Sequence, residues 1–173
     1  MELAALACVI IAIGLLLALA YIDLKTYLLP NILVAPFALM GIGFHFFTGF
    51  TYLSWQAMLI GGMGAYALLW LIRAAGNKYY GQDSLGLGDV KLLGTSGLWL
   101  GIEGVLYAMT LGAIAGVLHG LVYATYAKIT TQKPFNFRRL TIPAGPGFII
   151  GILVIGGWMY KGFILSNVYD LLP

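Results

Sequence analysis

Six carboxylates are the whole stock of acidic side chains in this sequence: Glu2, Asp23, Asp83, Asp89, Glu103 and Asp170. Two stand out by position. Asp23 closes a long uncharged apolar run, and Asp89 stands in the stretch SLGLGDVKLL, behind Gly86 and Gly88 and ahead of a second apolar run. Two carboxylates brought together do not ionise together, so such a pair holds one proton and can hold a water. The ionised member then takes a proton from the water while the protonated member donates to a carbonyl, which is peptide hydrolysis of the aspartic kind. That chemistry needs no metal, thiol or cofactor, and none is expected. Cys8 is the only cysteine, so no intramolecular disulfide and no thiolate zinc cluster is available. The two histidines, His45 and His119, are far apart in the chain.

Each of these residues also has a plainer reading. Asp is a preferred helix N-cap, and Asp89 sits where a helix is expected to start. Asp23 could be a boundary charge neutralised by Lys25, although a carboxylate at a helix C-terminus opposes the dipole. Asp83 could replace either acid but falls in a polar stretch, where solvation is expected. Gly86 and Gly88 lack a Cβ, so a backbone or an extended substrate can approach closely and positive φ costs little. His119 reads as a neutral histidine bonded to a neighbouring helix, and His45 as structural.

The elements that must position these groups are membrane helices. Of 173 residues, 61% are hydrophobic and 9% charged, whereas a soluble domain carries about 25% charged residues. One polytopic membrane domain over 1–173 is expected, all-α, with about six spans: 3–22, 32–47, 55–75, 90–102, 104–127 and 142–160. The first lacks a basic leading segment, so it reads as a retained span and not as a signal peptide. Small residues in GGMGA and GAIAG suit close helix packing, and Trp55, Trp99 and Trp158 read as interfacial anchors against membrane lipid. Six spans put both termini on one side. Lys25, Arg73, Lys78, Lys91, Lys128, Lys133, Arg138 and Arg139 then fall on the other side and Lys161 alone with the termini, so the positive-inside rule places the N-terminus outside. Asp23 and Asp89 share the cytoplasmic edge. No basic stripe interleaved with aromatics appears, which argues against nucleic acid as a partner.

With these residues in place, YIDLKTYLLPN (21–31), GLGDVKLLGTSGLWLG (86–101) and IPAGPGFIIG (142–151) resemble, in order and spacing, the motifs of type IV prepilin peptidases. These are membrane aspartic peptidases with a Gly-x-Gly-Asp signature. The resemblance implies that Asp23 and Asp89 are the catalytic pair. It implies cleavage of a basic leader from prepilins or pseudopilins, of type IV pili or type II secretion, at the cytoplasmic face of a bacterial inner membrane. Gly86, Gly88, Lys91, Pro30, Pro143, Gly145 and Pro146 fall on motif positions as supporting residues, Lys91 by tuning charge and Pro30 by ending a helix. Larger members carry a methyltransferase region with a four-cysteine zinc site; with Cys8 alone, peptidase activity without N-methylation is expected. Preflagellin peptidases are related. Presenilin-like proteases fit less well, because Tyr21-Ile22-Asp23 has an inserted residue and Pro143-Ala144-Gly145 lacks a leucine. From another class, a small proton-coupled transporter would want an acid at the midplane, and none is expected there.

Overall fold

The computed structural model describes residues 1–131 and 144–171. Pro143 and the basic residues Lys133, Arg138 and Arg139 therefore lie outside the described residues. Six helices form: α1 Glu2–Thr26, α2 Asn31–Phe47, α3 Trp55–Tyr80, α4 Leu87–Thr131, α5 Gly145–Met159 and α6 Lys161–Leu171. No strand occurs among the described residues. Three segments are long and apolar enough to cross a membrane, Glu2–Thr26, Trp55–Tyr80 and Leu87–Val122, and α5 with the start of α6 would be a fourth, bent by 70°. The spans expected from the sequence contain no counterpart of α6.

α4 is two helices joined at Gly101, whose φ of 68° and ψ of 177° no helix contains. Before the break, Gly97 and Gly94 face Gly61 and Tyr66, so that limb runs antiparallel to α3. After it, Ile102, Val105 and Met109 line a small cavity with Ala65 and Leu69. The second limb therefore returns in the direction of α3. Sequence reading places the boundary at the polar Glu103. The structure puts it at Gly101 because positive φ combined with ψ near 180° is a region that only glycine enters readily. Among the described residues the bundle is built from α1, α2, α3, the two limbs of α4, and α5.

The glycines of GGMGA and GAIAG do pack helices. A Cβ on Gly61 would lie 2.4 Å from the Gly97 carbonyl oxygen, and one on Gly112 would lie 2.7 Å from Phe148 Cα. At the end of the bundle holding Gly101, the break leaves carbonyls without the usual helical N–H four residues on. The Trp99 carbonyl instead lies 3.2 Å from His45 Nε2 and accepts from the Tyr160 hydroxyl. His45 is fully buried there, against Phe44 and Tyr160, which fits its structural reading. Trp99 is no interfacial anchor. It is 5% exposed and donates Nε1–H to the Phe37 carbonyl at 2.9 Å, whereas Trp55 and Trp158 are exposed. His119 is exposed on α4, and the expected bond to a neighbouring helix does not occur among the described residues.

Candidate active site

The other end of the bundle gathers Asp23 at the close of α1, the loop into α2, the close of α3 and the start of α4. α1 ends because Tyr27 turns into the left-handed region, φ 57° and ψ 29°, with its N–H on the Asp23 carbonyl at 2.9 Å. Pro30 does not end α1. It stands immediately before α2 in extended backbone and accepts the first N–H groups of that helix, from Leu33 and Val34. Its fixed φ suits the entry to a helix better than the exit.

Asp23 is 5% exposed, and its Oδ2 accepts the Gly145 N–H at 3.1 Å. This answers the dipole objection raised by the sequence. Asp23 sits near the negative end of α1, but it receives the first free N–H of α5, whose own preceding residue, Ala144, offers no side-chain cap. Helix N-termini suit carboxylates for this reason. Pro146 follows in the first turn of α5, where its missing N–H costs nothing. Gly145 has a steric duty as well: a Cβ there would stand 2.6 Å from Asp23 Oδ2.

Asp89 is not the N-cap of α4. The helix starts at Leu87 and the Val90 N–H reaches the Gly86 carbonyl at 3.2 Å, so Gly86 holds the cap position and Asp89 is the third helical residue. Its carboxylate has no hydrogen-bond donor among the described residues. The two signature glycines serve the protein's own atoms. A Cβ on Gly86 would lie 2.8 Å from Asp89 Oδ2, and one on Gly88 would lie 3.0 Å from Leu29 Cβ. Neither adopts positive φ, so room for the Asp89 carboxylate and for the α1–α2 loop replaces the expected conformational freedom.

Asp23 and Asp89 line one cavity of about 340 Å³, together with Gly86, Gly88 and Lys91. Lys91 donates to Asn31 Oδ1 at 3.0 Å, tying the LLPN stretch to the GDVK stretch. Its charge therefore meets a neutral amide at the cavity wall. Sequence reasoning misses the Asn31 partnership, although both residues lie inside the quoted motifs. It also misses an ion pair between α3 and the loop that follows it: Arg73 and Asp83 line the same cavity, 2.7 Å apart. A larger cavity, about 480 Å³, opens at the Gly101 end, where Glu103 is the one carboxylate among the described residues that line it. Among the described residues no group of three His, Cys, Asp or Glu side chains could hold a metal ion.

The fold and this cavity define a helical membrane protein with two carboxylates brought into one cavity at one end of its bundle. The chain belongs to the type IV leader peptidase family, whose profile matches residues 10–121. It is similar to the prepilin leader peptidase/N-methyltransferase of Pectobacterium carotovorum subsp. carotovorum, 34% identical over 156 residues, covering 90% of this chain and 52% of that protein. The protein of the same name from Dickeya chrysanthemi is 29% identical over 152 residues, covering 87% and 52%. That of Neisseria gonorrhoeae is 31% identical over 144 residues, covering 83% and 44%. The chain spans about half the length of the curated relatives it matches. No solved structure matches it. Gly145 lies beyond the residues that the family profile matches, so its contact with Asp23 is an observation of the structure alone.

Proposed function

We propose that this chain is a membrane aspartic endopeptidase that removes the leader of type IV prepilins or pseudopilins, with Asp23 and Asp89 as the catalytic pair. The observation that carries the reading is their presence in one cavity, from helices far apart in sequence. A water held between them loses a proton to the ionised carboxylate as its oxygen bonds the scissile carbonyl carbon. The protonated carboxyl donates to the carbonyl oxygen, giving a neutral gem-diol. Collapse of the gem-diol breaks the C–N bond, and the amine leaves with a proton returned by the pair.

The cytoplasmic face of an inner membrane is the side we assign to the cavity. Lys25, Arg73, Lys78 and Lys91 lie at its end of the bundle and Lys161 at the other, the asymmetry of the positive-inside rule. With one cysteine, these 173 residues build no four-thiolate zinc site, so the reading gives them peptide hydrolysis without N-methylation. A proton-coupled transporter is the weaker reading, because the carboxylates of the described side chains all fall at the two ends of the bundle.

The test is Asp23→Asn and Asp89→Asn, each coexpressed with a tagged prepilin. The amide that replaces the Asp23 carboxylate retains an oxygen for the Gly145 N–H. Both variants are therefore expected in the membrane at normal levels, and neither should release the leader. Processing at the wild-type rate by either one refutes the two-carboxylate mechanism.

A further inference from the structure

We propose that Arg73 is a positioning residue that fixes the Gly86–Asp89 turn, and with it the Asp89 carboxylate, by clamping the α3–α4 loop. The proposal rests on the peptidase reading above. The loop GQDSLG, residues 81–86, is short, polar and glycine-flanked, a composition that by itself does not hold one conformation. Three of its residues are nevertheless tied to the last turns of α3. Arg73 sends Nη2 to Asp83 Oδ1 at 2.7 Å and Nε to the Leu85 carbonyl at 2.8 Å. Asn77, one turn further along the same face, donates to Asp83 Oδ1 at 2.8 Å and accepts the Ser84 N–H at 2.8 Å and the Ser84 hydroxyl at 3.0 Å. The loop lies directly on the helix: a Cβ on Gly76 would stand 2.3 Å from Ser84 Oγ.

From this clamp the constraint runs to the carboxylate in three steps. Arg73 holds the Leu85 carbonyl. Gly86 follows and gives its own carbonyl to Val90, closing the first turn of α4. Asp89 then lies over Gly86, its Oδ2 in the space a Cβ on that glycine would enter. Both loop bonds of Arg73 come from one rigid guanidinium, so the spacing between Asp83 and Leu85 is set by a planar group and not by two flexible ones.

Magnitudes decide what the clamp is for. The Asp83 side chain is 75% exposed, and an ion pair of that kind adds only about 0–1 kcal/mol to stability. A displacement of about 1 Å at a reacting group, by contrast, can cost on the order of 100-fold in rate. The clamp should therefore matter little to unfolding and much to turnover. Arg73 and Asp83 also line the cavity, and direct contact with the substrate is the rival explanation. That contact would appear in KM.

The experiment uses the full chain in lipid nanodiscs with a purified prepilin, comparing Arg73→Ala, Arg73→Lys and Asp83→Asn, with Asp89→Asn as the control on the peptidase reading. Arg73→Ala should lower kcat by about 10- to 100-fold, leave KM within about twofold and shift the thermal midpoint little. Arg73→Lys, which keeps charge but not the fork, should recover part of kcat, and Asp83→Asn, which still accepts from Arg73, should recover most. Amide hydrogen exchange over residues 82–88 should speed up in Arg73→Ala, a readout that needs no catalysis. Unchanged exchange, or a raised KM with kcat intact, overturns the clamp. Normal processing by Asp89→Asn would instead sink the peptidase reading, and the exchange result would still judge the clamp.

Discussion

Gly145→Ala places one methyl group against the Asp23 carboxylate. The added Cβ would lie 2.6 Å from Oδ2 and 3.0 Å from Cγ, whereas ordinary van der Waals contact starts at 3.4 Å. The carboxylate or the start of α5 must therefore yield by close to 0.8 Å (3.4 Å less 2.6 Å). Either movement strains the 3.1 Å bond from the Gly145 N–H, the hydrogen bond that the described residues give that carboxylate. A hydrogen bond to a charged group is worth about 1.5–3 kcal/mol net, so the variant should remain folded but less stable. For the reaction, a shift approaching 1 Å predicts a fall in kcat of roughly 30- to 100-fold. The assay is single-turnover cleavage of a purified prepilin in nanodiscs, with thermal unfolding measured alongside. Gly157→Ala, on the same helix with nothing within 4 Å of the new methyl, is the control and should cleave normally. If Gly145→Ala cleaves within about threefold of wild type, well short of the loss that such a shift demands, the α5 N-terminus does not position Asp23 and the geometric reasoning fails.

Two further outcomes follow from the packing. Gly97→Ala puts a methyl 2.2 Å from the Gly61 carbonyl oxygen, with backbone on both sides and no side chain to give way. Folded protein should be lost from the membrane fraction, whereas Gly64→Ala, 3.7 Å from Ile102 Cδ1, should be tolerated. Tyr160→Phe alone should cost about 1 kcal/mol or less, because His45 still reaches the Trp99 carbonyl. Combined with His45→Leu it leaves that buried carbonyl unpaired and should cost more than the two single effects together; an additive double variant in thermal unfolding would show that the shared acceptor does not link them.

The apolar runs that form α1, α2 and α3 are legible because lipid demands about 20 apolar residues of any spanning helix, a constraint local to each segment. The Gly-x-Gly-Asp stretch is legible as chemistry for the same reason, since type and spacing sit within a few residues. What is not legible depends on which segments meet. The donor to Asp23 comes from a residue 122 positions away. No local pattern links Arg73 to Leu85, although Arg73 and Asn77 at one-turn spacing on a helix ending beside a polar loop are a usable hint. Pro30 reads as a stop because proline breaks helices, yet its place one residue ahead of Asn31 makes it a start. At the α4 break, Glu103 draws attention by its charge, while the backbone needs the glycine two residues earlier.

The bond between Asp23 and Gly145 also has a meaning for how the chain is made. Asp23 enters the membrane with α1, but its donor emerges from the ribosome only 122 residues later, about 6–24 s at translation rates of roughly 5–20 residues per second. Until then the carboxylate lacks this donor, which holds the end of α1 near water. Completion of the site is thereby tied to synthesis of α5. On the peptidase reading, a nascent chain stalled before α5 carries both acids but not the Gly145 N–H that Asp23 accepts.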